Sequence, residues 1–320
     1  MSTTDQAVII WGEVLWDLFP DGAQLGGAPS NVAWHLGMAG GWARLVSRVG
    51  DDDEGRLALA RLGEVCDTSL VQIDPDRATG VVEVTVSHGE ARYKLVADRA
   101  WERIACTDDV IGALGEASVL IYGTLAQRSA AGLEGWRAGM AAAHGRCLKV
   151  CDVNLRKTEN GGPKMEGHAR RGEPAPGPEI NEGVAVLAAL EKADMVKVND
   201  KELASLATWL GWKDPIAELR KRPRVVAVTH GADGATLFGE SGAAIEIAGM
   251  PARRAADADN VGCGDAFLAV LVHGMTLGWD LAHCGRAASR WAAAVAEVRG
   301  ATPFFDEERA ADLLELEVDE

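Results

Sequence analysis

Short apolar runs alternate along this chain with longer stretches whose apolar residues recur at helical spacing. The short runs are Val8 to Trp11, Arg44 to Val49, Val119 to Tyr122, Leu148 to Val153, Met195 to Val198 and Val225 to Thr229. Their length and content predict strands, and their alternation with helical segments predicts an α/β chain of βαβ units around a central, mostly parallel sheet. Ligands of such sheets gather at the carboxyl ends of the strands. Asp152 to Arg156, Asn199 with Glu202, and Thr229 to Gly234 all follow or close an apolar run, so they fall at that end.

Two stretches break the alternation. Val81 to Ser87 and Ala91 to Val96 flank His88-Gly89-Glu90, which reads as a β-hairpin with a glycine turn. Between Lys157 and Glu182 the chain is rich in Gly, Pro and charge, which predicts a long, mobile surface loop; it starts directly after Arg156.

Composition narrows the classes. A length of 320 residues suits one large α/β domain with a small appended element. No apolar run is long enough to span a bilayer, and Met1 to Gln6 carries no basic region before the first strand, so a cytoplasmic enzyme is expected. The net charge of -16 argues against nucleic acid or an anionic membrane as partner. The six cysteines show no CxxC pairing and read as reduced thiols; Cys147 and Cys151 lack the further ligands that zinc would need.

Candidate chemistry is concentrated in two glycine-rich segments. Asp259-Asn260-Val261-Gly262-Cys263-Gly264-Asp265 precedes the apolar helical run Ala266 to Val272. Helix N-termini present unpaired amides and a positive dipole end to anions, so this is an anion site with an acid beside it; a helix-capping Asp265 is the alternative. Leu25-Gly26-Gly27-Ala28-Pro29-Ser30-Asn31 opens a second helix, with Pro suited to its first turn. Together the two segments resemble the signatures of the PfkB family of carbohydrate kinases, the ribokinase-like fold. Gly50-Asp51, Asp152 to Arg156, Val196 to Glu202 and Val228 to Gly234 look like further family blocks in family order, over nearly the whole chain.

The resemblance implies a three-layer fold with a sheet flanked by helices, in one domain. Segments 13–20 and 80–101 would form a small β-sheet lid over a sugar. It further implies ATP and Mg²⁺ as cofactors. Asp265 would be the general base, the amides of Gly262, Cys263 and Gly264 the anion hole, and Arg156 a cation on the γ-phosphate. Asp17, Gly26, Gly27, Asn31 and Trp101 would bind the sugar, with Trp16 adding to the apolar wall. Lys197, Asn199, Thr229, Gly231, Gly234 and Ser289 would bind ATP, and Glu202 would organise Mg²⁺ through water. Because the overall charge repels ATP, these local features must hold it. Asp259, Val261, Val295, Val298 and Gly300 match a monovalent-cation site, K⁺ in this family, although Phe304 replaces the usual small polar residue there. Asn260 and Cys263 also depart from the family pattern, and the helix N-terminus is expected to make the Cys263 thiol acidic.

Gly26 to Asn31 with Gly12 to Pro20 looks most like fructokinase-type members, and no basic cluster for a sugar phosphate is evident. Ribose and 2-keto-3-deoxygluconate are alternative substrates. A sugar-binding or scaffolding protein without turnover is the alternative of another class. A homodimer is compatible with all of these.

Overall fold

Every residue of β1 (Val8–Trp11) is buried, because the strand lies between two others and beneath helices on both faces. Val8 and Ile10 belong to one apolar cluster, Ile9 and Trp11 to the other. The alternation of a strand thus becomes the division between two cores. The computed structural model describes residues 7–87, 90–155, 182–222, 225–256 and 258–315.

After β1 come β2 (Leu15–Phe19), β3 (Gly22–Gly26), α1 (Ala28–Met38), β4 (Ala43–Gly50), α2 (Asp53–Leu62), β5 (Val71–Asp74), β6 (Gly80–Ser87) and β7 (Glu90–Leu95). The middle of the chain forms α3 (Asp108–Glu116), β8 (Val119–Tyr122), α4 (Ala130–Ala142), β9 (Leu148–Asp152), α5 (Glu182–Lys192), β10 (Met195–Asn199), α6 (Asp200–Leu210) and α7 (Pro215–Leu219). It ends with β11 (Val225–Thr229), β12 (Gly234–Phe238), β13 (Ala244–Ala248), α8 (Cys263–Thr276), α9 (Leu281–Val295) and α10 (Glu307–Leu314).

Among the described residues a nine-stranded sheet runs β13-β12-β11-β10-β9-β8-β1-β4-β5, with β12 alone antiparallel to its neighbours. Helices α1, α2, α8, α9 and α10 contribute to the core on one face, and α3 to α7 to the core on the other. This is the three-layer α/β arrangement expected. A second sheet of order β3-β2-β6-β7 contains the expected hairpin, paired antiparallel from Val82 opposite Leu95 to Ser87 opposite Glu90. It also contains β3, which the hydrophobic pattern does not announce. His88 and Gly89 of the turn, Arg156, and all but the last residue of the 157–182 loop lie outside the described residues. No described helix is long and apolar enough to cross a membrane.

Side-chain caps mark most helix starts: Asp52, Thr107, Ser129, Asn199, Asp214, Asp280 and Asp306 each accept a first-turn N–H. Helices α1 and α8 start instead on glycines, Gly27 and Gly262, with no side-chain cap. These are the two helices opened by the glycine-rich signatures.

Candidate active site

Gly262 sits at φ 78°, the left-handed region that favours glycine, and a Cβ there would come 2.7 Å from Ala301. Its carbonyl accepts the N–H of Ala266, so the helix begins normally. The amides of Cys263, Gly264 and Asp265 precede any carbonyl that the helix could offer them. Asp265, in that first turn, is buried at 7% exposure. Its Oδ2 accepts 2.8 Å from Nδ2 of Asn31 on α1. The N-cap position itself is Gly262, and Asn31 of the other signature lies against the acid.

A cation stands at the same helix start. Lys197 Nζ lies 2.9 Å from where a Cβ on Gly264 would be, and donates to Asp152 at 3.0 and 3.3 Å. Burial works against its charge, but Asp152, Glu202 and Asp265 together raise its pKa above the usual lysine value. Lys197 is thus firmly protonated beside a helix start whose sequence has no P-loop lysine.

Asn199 and Glu202 form a reciprocal capping box: Asn199 Oδ1 accepts the Glu202 N–H and Glu202 Oε2 the Asn199 N–H, both at 2.9 Å. Glu202 Oε1 accepts the Leu155 N–H at 3.1 Å, tying the block that ends β9 to the one that ends β10. Burial raises the Glu202 pKa, helped by Asp152 and opposed by Lys197 and the two backbone donors.

On the expected sugar side, Asp17 is half-buried on β2, and its Oδ2 lies 2.4 Å from the position of a Cβ on Gly26. Only glycine admits that carboxylate. Gly27, at φ 99°, opens α1 with Ala28 N–H donated to Glu13 Oε1 at 3.3 Å. Trp101 is buried and packs under Gly80 at the start of β6. Trp16 points elsewhere: its Nε1 donates to the Glu54 carbonyl at 3.0 Å and Arg61 lies over its ring, so it anchors the second sheet on α2 and forms no wall with Trp101. The period of two along β2 puts Trp16 and Asp17 on opposite faces.

The remaining expected site residues divide. Thr229 and the exposed Gly231 lie at the end of β11. Gly234 is buried against the Ile247 carbonyl and Gly249 amide, and Ser289 Oγ donates to the Ala248 carbonyl at 3.1 Å, so both brace β13. Asp259 Oδ1 accepts from Val261 N at 3.0 Å and its two oxygens from Gly300 N at 3.3 and 3.2 Å. The Val298 carbonyl accepts from Asp259 N at 3.3 Å, and the Val295 carbonyl from Val298 N at 3.3 Å. The residues expected at a monovalent-cation site are therefore neighbours, while Phe304 is 73% exposed.

The expectation for the Cys263 thiol is overturned. Burial, with Asp259 and Asp265 beside it, pushes its pKa up to about 12, against a small opposite effect of Arg254. Sequence reasoning also missed Asp152 as the anion of Lys197, Glu13 at the start of α1, and His35, which lies one turn after Asn31 and contacts Ala301. The i, i+4 spacing of Asn31 and His35 was the available signal.

The pfkB family carbohydrate kinase model matches residues 179–308. A Pyrococcus horikoshii protein named as a sugar kinase is 28% identical over 288 residues, covering 88% of this chain and 84% of that protein. The fructokinase of Klebsiella pneumoniae is 27% identical over 281 residues, covering 83% and 84%. The Xylella fastidiosa fructokinase with bound ATP has the same fold, with a TM-score of 0.79 at 20% identity over 98% of this chain and 100% of that one. The Vibrio cholerae fructokinase holding fructose, ADP and calcium gives 0.76 at 21% identity over 98% and 100%. Both signatures meet at one helix start, and the chain is similar to the PfkB family carbohydrate kinases, with the family model matched over residues 179–308.

Proposed function

We propose that the protein transfers the γ-phosphoryl group of ATP to a hydroxyl of a free ketohexose, fructose first, under the second sheet acting as a lid. The observation that carries this reading is Asp265, buried in the first turn of an uncapped helix, hydrogen-bonded by Asn31 and beside the Lys197 ammonium. Asp265 takes the proton of the attacking hydroxyl, while the first α8 amides and Lys197 receive the charge of the phosphoryl group in flight. Asn31 and Asp17 orient the sugar. A sensor without turnover has no use for a base held in this way.

Glu202 has both oxygens engaged by backbone N–H groups, each with a further lone pair, which suits contact with a metal-bound water and not direct ligation. Mg²⁺ bound there would neutralise phosphate charge. A monovalent cation enters the proposal only as an activator at Asp259 and the carbonyls of Val261, Val295, Val298 and Gly300; replacing K⁺ by tetramethylammonium in the assay measures it. An unphosphorylated acceptor is favoured because nearby cations are already paired, Lys94 of the second sheet with Glu83, and Arg299, which lies over Phe19 of β2, with Asp21.

Asp265→Asn keeps the shape and loses the base, so kcat should fall by ~10²–10⁴ while sugar and ATP affinities stay within about threefold. Near-native turnover in this variant would reject Asp265 as base. Comparing kcat/KM for fructose, ribose, 2-keto-3-deoxygluconate and fructose 6-phosphate tests the substrate, and a preference for any of the last three removes fructose.

A further inference from the structure

His35 has no part in the scheme above, yet it is completely buried at the edge of the site. Its Nδ1 faces the indole N–H of Trp291 at 3.2 Å, and its Nε2 faces the carbonyl of Ala301 at 2.8 Å. An indole N–H can only donate and a carbonyl can only accept, so Nδ1 must be the acceptor and Nε2 must carry the proton. The two partners select one neutral tautomer. Burial keeps the ring neutral by taking its pKa down to about 4, although the Ala301 carbonyl favours the charged form.

Ala301 is the residue on which Gly262 rests: a Cβ at Gly262 would come 2.7 Å from the Ala301 Cα, Cβ and O. Its neighbour Gly300 donates to the Asp259 carboxylate at the other end of the same turn. Trp34 adds a second tether, donating from Nε1 to the Pro303 carbonyl at 2.8 Å. Consecutive α1 side chains therefore hold the carbonyls on either side of Thr302.

We propose that His35 is a positioning residue for phosphoryl transfer, fixing the Ala301 peptide against Gly262 and so the direction of the first α8 amides. This rests on the reading of the α8 start as the phosphoryl site. Asn31 and His35 are one turn apart on one helix face, so α1 aligns the base and the anion hole against each other. A small displacement of such donors is costly, because they act only when aimed at the charge that develops in the transition state.

The test compares His35→Leu, His35→Gln and Trp291→Phe with the native enzyme, well below each variant's melting temperature. Leu removes both hydrogen bonds; Gln can donate to Ala301 and accept from Trp291; Phe keeps the ring at 291 and frees the tautomer. For His35→Leu, kcat should fall by about ten- to a hundredfold with sugar KM within about twofold. Affinity for MgADP, aluminium fluoride and sugar together should fall in step, since that complex mimics the phosphoryl group in flight. His35→Gln should keep at least about a third of native kcat, and Trp291→Phe should lose severalfold. Native kcat in His35→Leu would overturn the proposal, as would an unchanged affinity for the mimic. If His35→Leu does not fold, native kcat in Trp291→Phe overturns it. A native enzyme that phosphorylates no sugar would instead reject the underlying reading.

Discussion

Lys197 and Asp152 form an ion pair in the interior, 3.0 Å from Nζ to Oδ1, with neither side chain more than 5% exposed. Asp152→Asn would leave a buried ammonium without its nearest anion, which costs ~3–5 kcal/mol in comparable cases. Urea unfolding should show that loss, and Lys197→Met in the same chain should recover much of it without recovering activity. The folded state raises the Lys197 pKa above its ordinary 10.5, so its contribution is complete below that pH and fades only above it. The cost of Asp152→Asn should therefore be flat from about pH 6 to 9. A change under about 1 kcal/mol would mean that the pair adds nothing.

Gly26→Ala tests the sugar side. The new methyl would start 2.4 Å from Asp17 Oδ2 and 3.1 Å from Leu15 Cδ1, so the carboxylate must turn away. Sugar KM should rise by about tenfold or more, with a smaller effect on kcat, because uniform binding is lost and the base is untouched. Equal loss of kcat and kcat/KM would place Asp17 in the chemical step.

The Cys263 thiol should be slow to alkylate. With its pKa pushed up from 9.0 to about 12, its thiolate fraction near neutrality is lower by ~10³ than that of an ordinary thiol. Peptide mapping after iodoacetamide treatment measures the rate. Cys263→Ala should keep kcat within about twofold, since the hole uses the backbone N–H and not the sulfur.

Acid should destabilise the protein through its buried histidines. The His35 pKa falls from 6.5 to about 4 on folding, so between these values the unfolded chain binds more protons. Its stability contribution is complete above pH 6.5 and is lost as pH falls towards 4, by up to ~3 kcal/mol at 1.36 kcal/mol per unit. His273, also lowered by burial, acts in the same direction, so the readout is the difference between native and His35→Gln unfolding curves. Parallel curves across that window would contradict it.

Six strands of the sheet interior were legible as short, mostly apolar and buried runs, with β1, β8 and β11 matching the expected limits, whereas β12, also interior, was missed behind its leading glycine. The edges were not legible. β3, Gly-Ala-Gln-Leu-Gly, is short and glycine-bounded, and β13 has alternating Ile245 and Ile247 between mostly exposed positions, so neither carries the signal of an interior strand. Of the site, the glycine signatures and Asp265 were visible as local chemistry. The hydrogen bond from Asn31, the Asp152 partner of Lys197 and the tautomer of His35 are facts of packing between distant segments. The same blindness misjudged Cys263: the helix N-terminus and the carboxylates of Asp259 and Asp265 are local, whereas the burial that chiefly raises its pKa depends on the folded surroundings.

Asn31 and Asp265 meet across 234 positions of sequence. During synthesis on a ribosome the first glycine-rich signature emerges early, and Asn31 meets its partner only once α8 is made and docks against α1. A nascent chain that lacks α8 cannot hold Asn31 against Asp265, so under the proposed roles it should not turn over ATP. Recovery of turnover after refolding consequently reports on a late, long-range docking event, well separated from the appearance of helices and strands.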